Sequence, residues 1–194
     1  MAGHFEALPG GGAAVALDEV EISILRSLAV QLMELIGPGD EPVEGEDPLA
    51  ALFAEGPSEP PSDPALRRLF PDAYGDDTDE LRQAAADFRR YTENDLRARK
   101  RDDALSMVRS LDALASAAAG EGGGVLKLTA DESRAWLGSL NDLRLTIGTR
   151  LEVTEDDESE ELYRLPDDDP RKPMVMAYLW LGGLQESLVE TLMP

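Results

Sequence analysis

Residues 171–192 read RKPMVMAYLWLGGLQESLVETL, and their pattern decides the fold class. Met174, Tyr178, Leu181, Leu184, Leu188 and Leu192 follow one another at steps of three and four, the spacing of one helical face. Leu179 and Trp180 stand on other sides. A helix that is apolar nearly all round is covered from several directions, so the expectation is a helical bundle with this helix at its centre. Asp169-Pro170 ahead of it offers an N-cap followed by a first-turn proline.

Working outward, residues 129–151 place Trp136, Leu140, Leu143, Ile147 and Leu151 on one face. Residues 18–36 repeat Val20, Ile24, Leu28, Leu32 and Leu35, with Ile22, Leu25 and Ile36 widening that stripe, and Gly37-Pro38 ends it. Asp63-Pro64 opens a short helix that Pro71 stops. From about Asp79 to Ala119 a long helical stretch carries Leu81, Phe88, Leu96, Ala104, Leu111 and Ala118 at intervals of seven or eight. Thr92-x-x-Asp95 offers a restart within it, which predicts a break near 90–92.

Strands are few. His4–Leu8 and Ala13–Leu17 flank Pro9-Gly-Gly-Gly12, and Val125-Leu-Lys-Leu128 follows Gly122-Gly-Gly124; these read as a hairpin and a third strand. Two strands run straight into helices through capping boxes, Asp18-x-x-Glu21 and Thr129-x-x-Glu132. The expected fold class is mainly α: a helical bundle with a small antiparallel β-sheet of two or three short strands, forming one domain over residues 1–194.

The chain has 18 Lys and Arg against 40 Asp and Glu, a net charge of −22 over 194 residues. The acidity is uneven. Residues 37–63 hold eight acids and no base, with six prolines and four glycines; residues 152–169 hold ten acids and only Arg164. These stretches contribute −8 and −9, leaving −5 for the rest. The first reads as a mobile insertion containing a short helix after Asp47-Pro48, with Leu49, Leu52 and Phe53 on its apolar face. The second reads as an acidic loop. A strongly negative chain has little grip on phosphates, so direct DNA binding is not expected and a protein partner is.

Zero cysteines and a single histidine, His4, remove thiol chemistry and leave little for zinc or imidazole catalysis. The run Glu155-Asp-Asp-Glu158 lacks the turn glycine of a calcium loop. Gly120-Glu-Gly-Gly-Gly124 leads into a strand and has no Lys-Ser/Thr after it, unlike a phosphate cradle. The reading is a non-enzymatic chain without cofactor or metal. No apolar run reaches the length of a membrane span. Met1–Leu8 has no Lys or Arg, so it does not read as a signal peptide. A cytoplasmic protein is expected.

The one basic feature is Arg89, Arg90, Arg97, Arg99, Lys100 and Arg101. Glu93/Arg97 and Asp95/Arg99 are spaced for pairing on one helix, so a solvated, paired face is the expectation. Polar residues within apolar helices carry more information: Asn141, Asp142 and Arg144, and Gln185-Glu186. If buried they need partners. A bridge from Arg144 to Glu186 would satisfy both.

Three stretches carry a family resemblance. They are Asp63-Pro-x-Leu66-Arg67-Arg68-Leu69-x-Pro71-Asp72-x-Tyr74; Leu128-Thr129 through Trp136 to Asn141-Asp-Leu-Arg144-Leu-x-x-Gly148-Thr149-x-Leu151-Glu152; and Tyr178-x-Trp180-Leu181 with Leu184-Gln185-Glu186-x-Leu188. In these the chain resembles the AosR family of actinobacterial oxidative-stress transcription regulators, from about residue 5 to the C-terminus. The resemblance implies transcriptional regulation exercised through a sigma factor of RNA polymerase, connected with cysteine biosynthesis and oxidant defence. The candidate partner contacts or members of a buried polar network are Arg67, Arg68, Asp72, Tyr74, Asn141, Asp142, Arg144, Trp180, Gln185 and Glu186. Oxidant sensing in that family is associated with cysteines, and this chain has none. The alternative is an adaptor or accessory protein in proteolysis or sulfur metabolism.

Overall fold

The computed structural model describes residues 3–37, 56–153 and 164–193. Among them the order is β1 (Glu6–Leu8), β2 (Gly12–Asp18), α1 (Glu19–Ile36), α2 (Pro64–Leu69), α3 (Asp79–Ala117), β3 (Gly123–Leu128), α4 (Ala130–Arg150) and α5 (Lys172–Leu192). The mainly α class with a small antiparallel sheet is what the sequence pattern implies. The short helix expected after Asp47-Pro48 and most of the acidic stretch 152–169 lie outside the described residues.

The three strands lie in sequence order, each antiparallel to its neighbour. Val15 faces Leu126 and Ala13 faces Leu128, so alternate residues of β2 and β3 enter the core while Lys127 stays outside. At Gly12 a Cβ would stand 2.2 Å from the Leu128 carbonyl oxygen, so only glycine admits that approach. Both expected capping boxes are present: Asp18 accepts from the Glu21 N–H and Thr129 from the Glu132 N–H, and each glutamate accepts from its cap's N–H in return.

The core joins one face of the sheet to α1, α3, α4 and α5. Trp136 is fully enclosed, its ring edge-on to Phe5 at 5.9 Å and its Nε1–H donating to Ser110 Oγ. The N-terminal arm is tied down there, because the Phe5 N–H donates to Ser187 Oγ on α5.

Four expectations need correction. The central helix is α4, which touches α1, α2, α3, α5 and two strands; α5 lies to one side and leaves Met174 and Met176 exposed. The physical reason is the small contact residues of α4, Ser133, Ser139 and Gly148, which let several neighbours approach although it is less apolar than α5. Next, α5 begins at Lys172, two residues after Pro170, because Asp169 caps a preceding turn by accepting from the N–H and guanidinium of Arg171. On α1 the buried row is Ile22, Leu25, Ala29, Leu32 and Ile36, while Val20 and Ile24 are exposed. Finally, α3 runs unbroken for 39 residues, about 58 Å. Thr92 does not restart it; its hydroxyl donates to the Phe88 carbonyl one turn back.

The long stripe on α3 has two fates. Ala104 and Leu111 are fully buried, whereas Leu81, Phe88 and Leu96 of the N-terminal half are exposed. Tyr91 is 69% exposed. Tyr74 lies edge-on to Phe88 at 6.2 Å, itself half exposed.

Candidate functional site

The residues singled out by sequence fall into three places. The first is an ion cluster on the inner side of α3. Arg89 and Glu93, one turn apart, are 5% and 3% exposed and form an ion pair. Arg89 also donates to the Phe70 carbonyl at 3.0 Å and to Asp72 at 2.8 Å. Arg97 donates twice to Glu93 Oε1, at 2.9 and 2.7 Å, and once to the Ile36 carbonyl at the end of α1. Its guanidinium stacks over the Phe70 ring at 4.4 Å. These bonds fasten the chain after α2, and the last turn of α1, onto α3. Asp72 belongs here, whereas Tyr74 lies against the exposed Phe88 instead. The expected Glu93/Arg97 pair is formed, but it faces inward and holds structure together.

The second place is the α3–α4 contact, where Lys100 donates to Asp142 at 2.7 Å. Burial pushes the Asp142 carboxyl up, and Lys100 only partly offsets this. Burial also raises Asp103, whose neighbours include Asp142 and Arg99. Asn141, next in sequence, is exposed; it gives Asp142 a further, weaker hydrogen bond.

The third place is a groove formed by α2, α4 and α5. Arg144 crosses from α4 to α5 and donates through Nη1 to Gln185 Oε1 at 2.6 Å. Gln185 in turn reaches Asn141 Oδ1 at 3.4 Å. The Arg144 guanidinium lies over the Tyr178 ring at 5.2 Å. Of the two glycines at this crossing, Gly148 is the tight one and Gly182 has ordinary clearance. A Cβ on Gly182 would touch Arg144 Nε at 3.5 Å, and one on Gly148 would press Tyr178 Cε2 at 3.2 Å. On one side Arg144 and Tyr178 line a groove of about 470 Å³ with Arg68, Thr149 and Glu152. On the other they line one of about 780 Å³ with Gln185, Glu186 and Glu190. Glu152 follows α4 with φ 57°, an uncommon backbone for a residue with a Cβ.

The expected Arg144–Glu186 bridge is therefore replaced by Arg144–Gln185, and Glu186 is exposed. The reason is helical phase: Gln185 is the neighbour that faces α4. Arg67 lies apart, donating to the Pro61 carbonyl. Trp180 is half-buried, with Nε1 enclosed and no acceptor for it among the described residues. Tyr178, Gly148 and Gly182 were not among the sequence-derived candidates for this place. Tyr178 was legible as one position of an apolar stripe and as a residue of the third resemblance stretch.

Among the described residues, no group of three or more acidic or imidazole side chains is placed to hold a metal ion. No helix there is long and apolar enough to cross a membrane.

Comparison with known proteins places the chain in a family. The model of a family described as a domain of unknown function, DUF2017, matches residues 2–192. The "Putative oxidative stress regulator AosR" of Mycobacterium leprae (strain TN) is 34% identical over 176 residues, covering 89% of this chain and 79% of that protein. The "Oxidative stress regulator AosR" of Mycobacterium tuberculosis (strain ATCC 25618 / H37Rv) and that of Mycobacterium bovis (strain ATCC BAA-935 / AF2122/97) are each 31% identical over 176 residues, covering 89% of this chain and 78% of each relative. No solved structure matches the chain. The stretches that meet in the groove are those in which the resemblance was read, and with these identities over nine-tenths of its length the chain belongs to the DUF2017 family, the family of the AosR proteins.

Proposed function

We propose that this chain is a non-enzymatic transcriptional regulator, acting in the cytoplasm by contact with a sigma factor or with RNA polymerase. The observation that carries this reading is the relationship to proteins named oxidative stress regulators over 89% of the chain. Charge supports it: a molecule at −22 attracts a basic, DNA-binding polypeptide and repels bare nucleic acid. The half of α3 that leaves Leu81, Phe88 and Tyr91 uncovered supplies an apolar helical face for such a contact. The acidic field disfavours a second copy there and favours a basic partner. With no cysteine in the chain, no thiol of its own answers an oxidant.

The test is capture of sigma factors and polymerase from the native cell, at low salt, on immobilised wild type and on Phe88→Asp. Enrichment by wild type that Phe88→Asp loses, with unchanged melting, supports the reading. Enrichment no greater than on an unrelated protein of equal charge overturns it. Sedimentation showing a wild-type dimer and a monomeric Phe88→Asp would assign that face to self-association instead.

A further inference from the structure

Acids outnumber bases by more than two to one here, so a cation packed into the body ordinarily has a carboxylate at hand. Arg89, Arg90, Arg97, Lys100 and Lys172, all wholly or partly buried, each meet one. Arg144 is also partly buried and meets none among the described residues: its partners are the neutral Gln185 amide and the Tyr178 ring. Its Nε is enclosed without an acceptor. Of the five donors on a guanidinium, one is used. Arg68 lines the same groove and has neither ion pair nor hydrogen bond among the described residues. Two guanidinium groups that form no ion pair among the described residues thus share one groove, although Glu152 also lines it. Desolvating a cation without a counter-charge is costly, and the fork of an arginine matches a carboxylate.

We infer that the groove lined by Arg68, Arg144 and Tyr178 binds a ligand with a single carboxylate next to an apolar body. The carboxylate accepts from the Nη groups of Arg144 that remain open and from Arg68. Tyr178, Leu145 and Val153, which line the same groove, contact the apolar part. Glu152 also lines it and opposes a second negative group, and the −22 field lowers the local concentration of polyanions. The ligand's source is a free monocarboxylic acid or the C-terminal carboxylate of a peptide. This inference does not depend on the partner proposed above.

The probes are phenylacetate for the free acid, and N-acetyl-Ala-Ala-Leu as the acid and as its amide for a peptide end. Each is titrated at constant ionic strength, with chloride as the reference anion. Melting temperature and the Arg Nε–H resonances are followed. A saturating rise of about 2–4 °C with an acid, absent with the amide and with chloride, is expected. Tighter binding of phenylacetate assigns the free acid, and tighter binding of the tripeptide acid assigns the peptide end. Arg68→Gln, an exposed change that leaves the fold intact, is expected to weaken binding at least tenfold, and Arg144→Gln to abolish it. No saturable response to either acid up to about 20 mM, an equal response to the amide, or unchanged affinity in Arg68→Gln overturns the inference.

Discussion

Lys100 Nζ lies 2.7 Å from Asp142 Oδ1, and this bond ties α3 to α4 where both side chains are largely enclosed. Burial is the larger influence on Asp142 and raises its pKa above 3.8 despite Lys100. The folded state then binds more protons than the unfolded state in the interval between the two values. Stability from this group is highest below the unfolded value and falls as pH rises through the folded one. Asp142→Asn keeps the shape and removes the titration. In an Asp103→Asn background, which silences the neighbouring raised carboxyl, the chain that keeps the Asp142 carboxyl should compare best with its Asp142→Asn variant near about pH 4 and worse toward about pH 7. Calorimetric melting across that range checks this. A difference that moves in favour of the carboxyl as pH rises would mean that Lys100 outweighs burial.

The Arg89–Glu93–Arg97 cluster should be the most sensitive polar element of the fold. Removing one partner of a buried ion pair leaves the other uncompensated, at about 3 kcal/mol or more. Glu93→Gln is therefore expected to lower the melting temperature by roughly 6–12 °C. Arg134→Ala, which breaks an exposed pair with Asp131, should change it by about 1–2 °C at most. Similar small losses for the two variants in chemical denaturation would show that the cluster is not integral to the fold.

Asp18 and Thr129 cap α1 and α4 from opposite ends of the β2–β3 pair. Asp18 opposes Gly123, and Leu128, which precedes Thr129, opposes Ala13. The caps are about 20 Å apart along the strands. Asp18→Ala and Thr129→Ala should each cost about 1 kcal/mol, and the double variant should lose their sum within about 0.5 kcal/mol. A loss well beyond the sum, by urea denaturation, would reveal that the sheet couples the two helix starts.

What was legible in the sequence is local. Capping boxes at Asp18 and Thr129, the glycine-flanked hairpin and the Glu93/Arg97 spacing involve residues close to one another along the chain, and all are realised in the structure. What was not legible depends on how helices are rotated and offset. Gln185 and Glu186 are adjacent in sequence, and only the crossing of α4 and α5 makes the first the partner of Arg144. Lys100 and Asp142 are 42 residues apart with no spacing rule to join them. The greater apolarity of α5 suggested a central place, but the small side chains on α4 decide which helix the others can surround. The seven-to-eight-residue stripe on α3 is a real helical face, yet its spacing does not tell where the body that covers Leu111 stops short of Phe88.

Gly148 and Tyr178 provide the most direct test of that crossing. Gly148 sits within α4 and has no need of glycine's backbone freedom, so by helix propensity alone alanine should stabilise it by about 1 kcal/mol. Its Cβ would however stand 3.2 Å from Tyr178 Cε2, and moving that ring disturbs its stacking with Arg144. Gly148→Ala in the wild type is expected to be neutral or destabilising. In a Tyr178→Ala background, where the ring is gone, the same change should stabilise by about 0.5–1 kcal/mol. The two measurements close a double-mutant cycle with a coupling of about 0.5 kcal/mol or more. If Gly148→Ala stabilises equally in both backgrounds, the ring yields without cost, and close packing at this crossing does not explain the glycine.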